Sequence, residues 1–204
     1  GEGLGRFTFT PDESFRSLIK QEGYSQVSDE VLFGFALANV DQAYWAYLKQ
    51  EGLTPKDEDD LEDIGHHLPM LATLKSNMAG YKQLGFSDIS LEELVDLHIH
   101  DVSPDFIRSI QALGFKNMTL EQFEDAKIHN INAEFVAEMK SLGFDNLTFD
   151  VLEELKIHNV DKDFVEQLKK AGYTNLSPEQ VADAKIHNVS TDYAADMKEL
   201  GFKD

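Results

Sequence analysis

The amino-acid sequence predicts an all-α protein, an α-solenoid of about six stacked helical-hairpin repeats of 29 residues plus one N-terminal helix. Three observations predict this fold. A glycine followed by an aromatic residue or leucine recurs every 29 residues, with one step of 33; helix-start residues keep a fixed distance from it, and so do histidines. The repeat glycines are Gly23, Gly52, Gly85, Gly114, Gly143, Gly172 and Gly201.

The 204 residues are expected to form a single repeat domain, 1–204, that opens with a capping helix. Thr10 and Glu13 stand at the spacing of a capping box, so the first helix is expected to begin there. The parts are an N-terminal segment and capping helix (1–24), repeat 1 (25–53), an irregular repeat 2 with an insertion (54–86), repeat 3 (87–115), repeat 4 (116–144), repeat 5 (145–173) and repeat 6 (174–204).

The first helix of each regular repeat carries explicit start signals. In repeat 3, Ser90 and Glu93 form a capping box, and Ile89 and Leu94 flank the cap as a hydrophobic staple. Pro178 occupies the first helical position of repeat 6, where its missing N–H costs nothing. The corresponding caps of the later repeats are Thr119 with Gln122, Thr148, and Ser177 with Gln180.

The second helix of each repeat has its own start and stop. The repeat glycine is expected to end this helix in the left-handed conformation. The next residue should then fold back on the residue five positions earlier, for example Phe86 on Tyr81. Helices of about ten residues are marginal alone, so the repeats are expected to stack. The start residues, whose side chains can accept from an unpaired N–H, are Ser103, Asn132, Asp161 and Ser190.

Two sets of apolar residues recur at the repeat spacing and are predicted to form the shared core, since an apolar stripe on a helix usually faces the core. Repeat 2 departs from this pattern: Lys56 interrupts the staple, Gly65 lies inside the predicted helix, His66 replaces the recurrent isoleucine, and four extra residues follow Pro69. The array is expected to bend or widen there. The predicted core residues are Phe106, Phe135, Phe164 and Tyr193, with Ile99, Ile128, Ile157 and Ile186.

Histidines recur fifteen residues after the repeat glycine, three of them in the motif KIHN followed by valine or isoleucine and one in HIHDV at 98–102. The histidines of these four motifs are expected to cap the end of the first helix, because Asn or Asp follows each of them and adopts the left-handed conformation readily. Its cationic form would suit the negative helix end, and a row of such groups that titrates near neutral pH is an open hypothesis. The histidines are His67, His100, His129, His158 and His187, with Ala38 at this place in repeat 1.

No metal or cofactor site is predicted from these histidines. A zinc ion needs several ligand atoms at about 2.0–2.1 Å, whereas stacked helices lie about 8–10 Å apart, so equivalent histidines should form a ladder. His66 and His67 are adjacent and point in different directions. The acidic run at 56–63 lacks the glycine and the glutamate of a calcium loop.

The composition narrows the classes of partner. A net charge of −20 argues against nucleic acid and anionic membrane surfaces, and no apolar run is long enough to insert in a membrane. Cysteine is absent and no hydrolase, metallopeptidase or phosphate-loop motif is found, so no catalytic residue is predicted. Tyr44, Trp45 and Tyr47 are the candidate binding residues; the alternative is core packing, with Trp45 stapled to Val40.

The pattern LGF…NL[ST]…KIHNV…LGF from Gly85 to Phe202, preceded by FTFTPDESF at 7–15, resembles a helical repeat family. This family occurs in extracytoplasmic regions of bacterial membrane proteins, notably membrane metallopeptidases of the beta-lactam-sensor type and some anti-sigma-factor-like proteins. The resemblance implies a periplasmic or cell-envelope location. It carries over no catalytic residue, because the peptidase motif is absent from these residues.

The expected function is a non-catalytic protein-interaction or sensor module, the extracytoplasmic part of a bacterial membrane protein, that binds a protein, peptide or envelope ligand. The alternatives are a free-standing periplasmic or secreted scaffold, and a substrate-docking appendage of a membrane peptidase whose catalytic part lies elsewhere. The chain begins with Gly1 rather than Met, which is consistent with an upstream targeting or anchoring segment.

Overall fold

A computed structural model describes residues 8–202, and over this range the protein is all-helical, with thirteen α-helices and no strand. The predicted all-α class is therefore confirmed. None of the helices in this range is both long and apolar enough to cross a membrane. The helices are α1 (Glu13–Gln21), α2 (Asp29–Ala38), α3 (Gln42–Gln50), α4 (Glu58–His67), α5 (Leu71–Gln83), α6 (Leu91–Ile99), α7 (Pro104–Ala112), α8 (Leu120–Ile128), α9 (Ala133–Ser141), α10 (Phe149–Ile157), α11 (Lys162–Lys170), α12 (Pro178–Ile186) and α13 (Thr191–Glu199).

The chain divides between Pro104 and Asp105 into two compact units. In the first unit, helix α4 packs against α2 and α6. In the second unit, α12 packs against α10, and α13 packs against α11. Each of these contacts joins helices at the same position of consecutive repeats, because even-numbered helices open a repeat and odd-numbered helices from α3 onward close it.

The predicted starts of the first helices are confirmed in the regular repeats. Ser90, Thr119 and Ser177 form complete capping boxes. The predicted start of α1 was wrong. Asp12, not Thr10, is the cap, and its Oδ1 accepts from the backbone N–H of Ser14 at 2.9 Å. A carboxylate also accepts from the next N–H and suits the positive helix end, so Asp12 is the better cap.

The KIHN motif, which reads HIHD in repeat 3, ends the first helix of repeats 3 to 6. The histidine is the last residue before the turn, the Asp or Asn after it is left-handed, and the next N–H donates to the carbonyl five residues back. In repeat 5, for example, Asn159 has φ of 52° and the Val160 N–H donates to the Leu155 carbonyl at 2.8 Å. The other left-handed residues of this set are Asp101, Asn130 and Asn188.

Repeat 1 forms the same turn without a histidine. Ala38 stands at the histidine position, yet Asn39 has φ of 58° and the Val40 N–H donates to the Phe35 carbonyl at 2.8 Å. The left-handed Asn or Asp, rather than the histidine, is therefore the residue on which this turn depends.

The repeat glycine ends the second helix, as predicted. At Gly143, φ is 90°, a conformation that a residue with a Cβ adopts only with strain. The following Phe144 N–H donates to the Met139 carbonyl at 3.3 Å, and both side chains are buried. This end is a Schellman turn with its usual apolar contact.

The predicted core was wrong at the recurrent isoleucines, which are exposed. The core position is taken instead by the apolar residue that follows the turn, a valine or an isoleucine. Val102, for example, is 1% exposed. Phe135 is buried as predicted, whereas Tyr193 is 54% exposed. The exposed isoleucines are Ile99 (49%), Ile128 (53%), Ile157 (49%) and Ile186 (40%).

The lysine of the motif covers an aromatic ring of the preceding repeat. The Lys156 ammonium lies 4.2 Å from the centre of the Phe135 ring, and the two residues are 21 positions apart, as they are in the two equivalent pairs. Such cation–π contacts contribute about 0.5–1 kcal/mol at partly exposed sites. The equivalent pairs are Lys127 over Phe106 and Lys185 over Phe164.

Repeat 2 accommodates its irregularities in two ways. The four extra residues fall in α5, which has 13 residues where the other closing helices have 9. Gly65 of α4 faces Gly34 of α2 so closely that a Cβ on Gly65 would lie 3.1 Å from the Gly34 carbonyl carbon. The glycine that interrupts the helix pattern is thus the point where α2 and α4 approach each other.

Candidate functional site

Tyr44 is a core residue in the structure. Its side chain is fully buried, and its hydroxyl donates a hydrogen bond of 2.8 Å to the Pro69 carbonyl. Burial raises the pKa of Tyr44, so the hydroxyl stays protonated and keeps this bond. Tyr44 therefore joins the first turn of α3 to the segment before α5 and offers no surface to a ligand.

Trp45 lies in an aromatic cluster and is 3% exposed. Its ring meets those of Phe15 and Tyr24 edge-on, at centroid distances of 6.4 and 6.0 Å. Its Nε1–H donates to Glu22 Oε2 at 2.9 Å, and Lys49 Nζ donates to the other oxygen of the same carboxylate at 2.7 Å. The indole and the carboxylate thus satisfy each other at the edge of the core.

Tyr47 is the one residue of the three that keeps partial exposure, and the Lys75 ammonium lies 5.0 Å from its ring centre. A pocket of about 320 Å³ lies beside Trp45, lined by Glu22, Lys49 and apolar side chains. The two charged groups of this pocket pair with each other, since Lys49 Nζ lies 2.7 Å from Glu22 Oε1.

The pairing of Glu22 predicts a specific pH dependence. Burial acts to raise the pKa of Glu22, but the hydrogen bonds from Lys49 and Trp45 outweigh it, and the pKa is lower than usual. The carboxylate therefore stabilises the fold above its ordinary pKa of 4.5, and this stabilisation is lost as pH falls through the lower folded-state value.

We expect Glu22→Gln to lower the free energy of unfolding by about 1 kcal/mol at pH 7 and by less at pH 3. Urea unfolding at the two pH values measures the difference. Glu62→Gln, at an exposed carboxylate, is the matched control and should behave as wild type. An equal loss at both pH values for Glu22→Gln would contradict the assignment.

The recurrent histidines lie at helix ends, and over residues 8–202 none of them donates a hydrogen bond to a helix-end carbonyl. His67 Nε2 lies 3.7 Å from Asp63 Oδ1, one turn earlier on α4. His129 Nε2 lies 4.0 Å from Glu153 Oε1 on α10. Within the described range no two of these histidines join one group of ligating atoms; His129 instead joins Asp125 and Glu153.

The exposed isoleucines form a surface feature that the sequence interpretation placed in the core. Ile128, Ile157 and Ile186 are the last residues of α8, α10 and α12, and all are 40% exposed or more. We call these three the isoleucine row. One signal indicated exposure: repeat 2 carries His66 at this position, and a position that accepts histidine is rarely a core position.

Comparisons of the chain with protein-family models, with curated proteins and with solved structures find no match.

Proposed function

We propose that this chain is a non-catalytic interaction module, an α-solenoid of six stacked hairpins that binds a protein or peptide along the isoleucine row. The observation that carries the proposal is the exposure of the row: Ile128 is 53%, Ile157 49% and Ile186 40% exposed. Each is surrounded in sequence by residues that the fold uses, whereas the isoleucine itself fills no space in the core. A large aliphatic side chain kept at the surface at the same position of consecutive repeats is typical of a binding surface.

The row suits an extended partner. Repeat proteins present equivalent side chains at regular intervals, so a chain that follows the stack meets one isoleucine per repeat. Full burial of an exposed isoleucine contributes about 1.5–3 kcal/mol, and about half of that is available at a half-exposed position. Three contacts of this size supply about 2–4.5 kcal/mol, so the partner must also bury apolar surface of its own or add charge contacts to offset the cost of association.

The charge of the chain narrows the partner further. At −20, the protein attracts cationic segments and repels nucleic acid and anionic membranes. The proposed partner is a neutral or basic protein segment, peptide or envelope ligand with apolar side chains. The resemblance of this chain to repeats of bacterial envelope proteins supports the proposal of an extracytoplasmic module attached to a membrane protein.

The test is selection of binding peptides from a phage-displayed 15-residue library, followed by calorimetric affinities for the selected peptide. We expect Ile128→Gln with Ile157→Gln to weaken binding at least tenfold, because two of the three apolar contacts are lost. Glutamine is a good helix former, so the fold should be kept.

The matched control is Met70→Gln with Leu200→Gln. These residues are 66% and 74% exposed but lie outside the row, so their replacement should change the affinity less than twofold. Equal losses in the two double variants, or a library that yields no peptide, would contradict the proposal.

A further inference from the structure

Two consecutive repeats bring together three side chains that can ligate a metal ion. Asp125 and His129 stand four residues apart at the end of α8, and Glu153 lies on α10. One carboxylate oxygen or imidazole nitrogen from each residue lies within 4.8 Å of the other two, and all three residues are half-buried. Residues four apart on a helix share a face, which explains how Asp125 and His129 reach the same partner.

The cluster carries an excess of negative charge. The half-buried carboxylate of Glu153 lies near those of Asp125 and Asp150, and His129 is the basic group beside it. None of the ion pairs found in residues 8–202 joins Asp125 or Glu153 to a lysine or arginine. Two partly desolvated carboxylates beside one imidazole are therefore stabilised by any cation that joins them.

The fold does not require Glu153. The equivalent position of repeat 6 is Ala182, which is fully buried in the same kind of helix contact. Repeat 5 still supplies the other two groups, as Glu154 and His158. The helix pair thus packs well with alanine at this position, so the half-buried carboxylate of Glu153 needs an explanation other than packing.

We propose that Asp125, His129 and Glu153 bind one divalent transition-metal ion, with zinc as the reference ion. An imidazole nitrogen with two carboxylate oxygens is a donor set that suits zinc, whereas calcium and magnesium prefer oxygen alone. Water would fill the fourth position, and the ion would join α8 of repeat 4 to α10 of repeat 5.

The distances fit this assignment after a small adjustment. Bonds of about 2.0–2.1 Å in a tetrahedral site place ligand atoms about 3.4 Å apart. His129 Nε2 and Glu153 Oε1 are 4.0 Å apart. Their side chains are 31% and 26% exposed, so side-chain rotation can close the remaining gap without moving the helices.

The test is calorimetric titration of the untagged, chelator-treated chain with zinc chloride, with cobalt(II) as a spectroscopic probe. We expect one site per chain and a cobalt spectrum of tetrahedral character. His129→Gln and Glu153→Gln should each weaken zinc binding at least tenfold. Glu153→Gln should also fold normally without metal, because it removes a repelled charge.

His158→Gln is the matched control, since the next repeat has Ala182 in place of the third ligand, and it should leave zinc affinity within twofold of wild type. An equal loss for His129→Gln and His158→Gln would mean scattered binding to histidines and would overturn the proposal. Several weak sites that persist in all variants would mean binding to the acidic surface, and they would overturn it as well.

Discussion

Gly65→Ala is expected to lower the free energy of unfolding by about 1 kcal/mol, although alanine is the better helix former. In an open helix the change would stabilise the chain by about 1 kcal/mol. At Gly65 the new Cβ would lie 3.1 Å from the Gly34 carbonyl carbon, 3.2 Å from Phe35 Cδ1 and 3.3 Å from Gly34 Cα. Two of these atoms are backbone, so α2 and α4 must move apart, and overpacking of this kind costs about 1–3 kcal/mol.

Gly34→Ala supplies the matched control on the opposite helix. A Cβ there would meet its nearest neighbour, the Gly65 Cα, at 3.7 Å, which is ordinary van der Waals contact. This variant should be neutral or more stable by up to about 1 kcal/mol. Urea unfolding of the two variants measures both effects, and a stabilised Gly65→Ala would show that the crossing has room to spare.

The sequence was most informative where structure depends on neighbouring residues. The capping box of Ser90 and Glu93 is a contact over three residues, and the turn at Gly143 depends on one backbone conformation. Such features are determined by local chemistry and repeat with the sequence. The number and type of the helices followed from them.

The sequence was least informative where a residue's role depends on another repeat. Ile157 and Val160 are both apolar and three residues apart, yet the first is 49% exposed and the second 3%, because the turn at Asn159 reverses the chain between them. In the sequence, Gly65 only interrupts a helix pattern; its role becomes visible when the structure places Gly34 opposite it. Periodicity alone contains neither relation.

The proposed metal site was missed for a related reason. Equivalent histidines were expected to form a ladder, and a search for two histidines in one place therefore predicted no site. The group that does form pairs one histidine with an acidic residue of its own helix and one from the next repeat. The recurring acidic residue four positions before each histidine, from Asp63 to Asp183, was the available signal.

The last prediction tests which residue of the KIHN motif the fold requires. We expect the combined variant Asn39→Ala, Asn159→Ala, Asn188→Ala to lose about 3 kcal/mol of unfolding free energy. These asparagines have φ of 58°, 52° and 50°, and a left-handed conformation costs an ordinary residue about 1–2 kcal/mol, of which asparagine avoids a part. Denaturant unfolding measures the loss, which should be additive if the three turns act independently.

Glycine at the same three positions is the control that isolates backbone conformation. It removes the same side chains but adopts positive φ freely, so this variant should stay within about 1 kcal/mol of wild type. The turn at Asn39 forms beside Ala38, so His158→Ala and His187→Ala should likewise cost little. If the histidine variants proved as destabilising as the alanine set, the histidines would be part of the turn itself. If the histidine variants cost little, the recurrence of histidine has a cause other than the turn, and at His129 that cause is the ion proposed above.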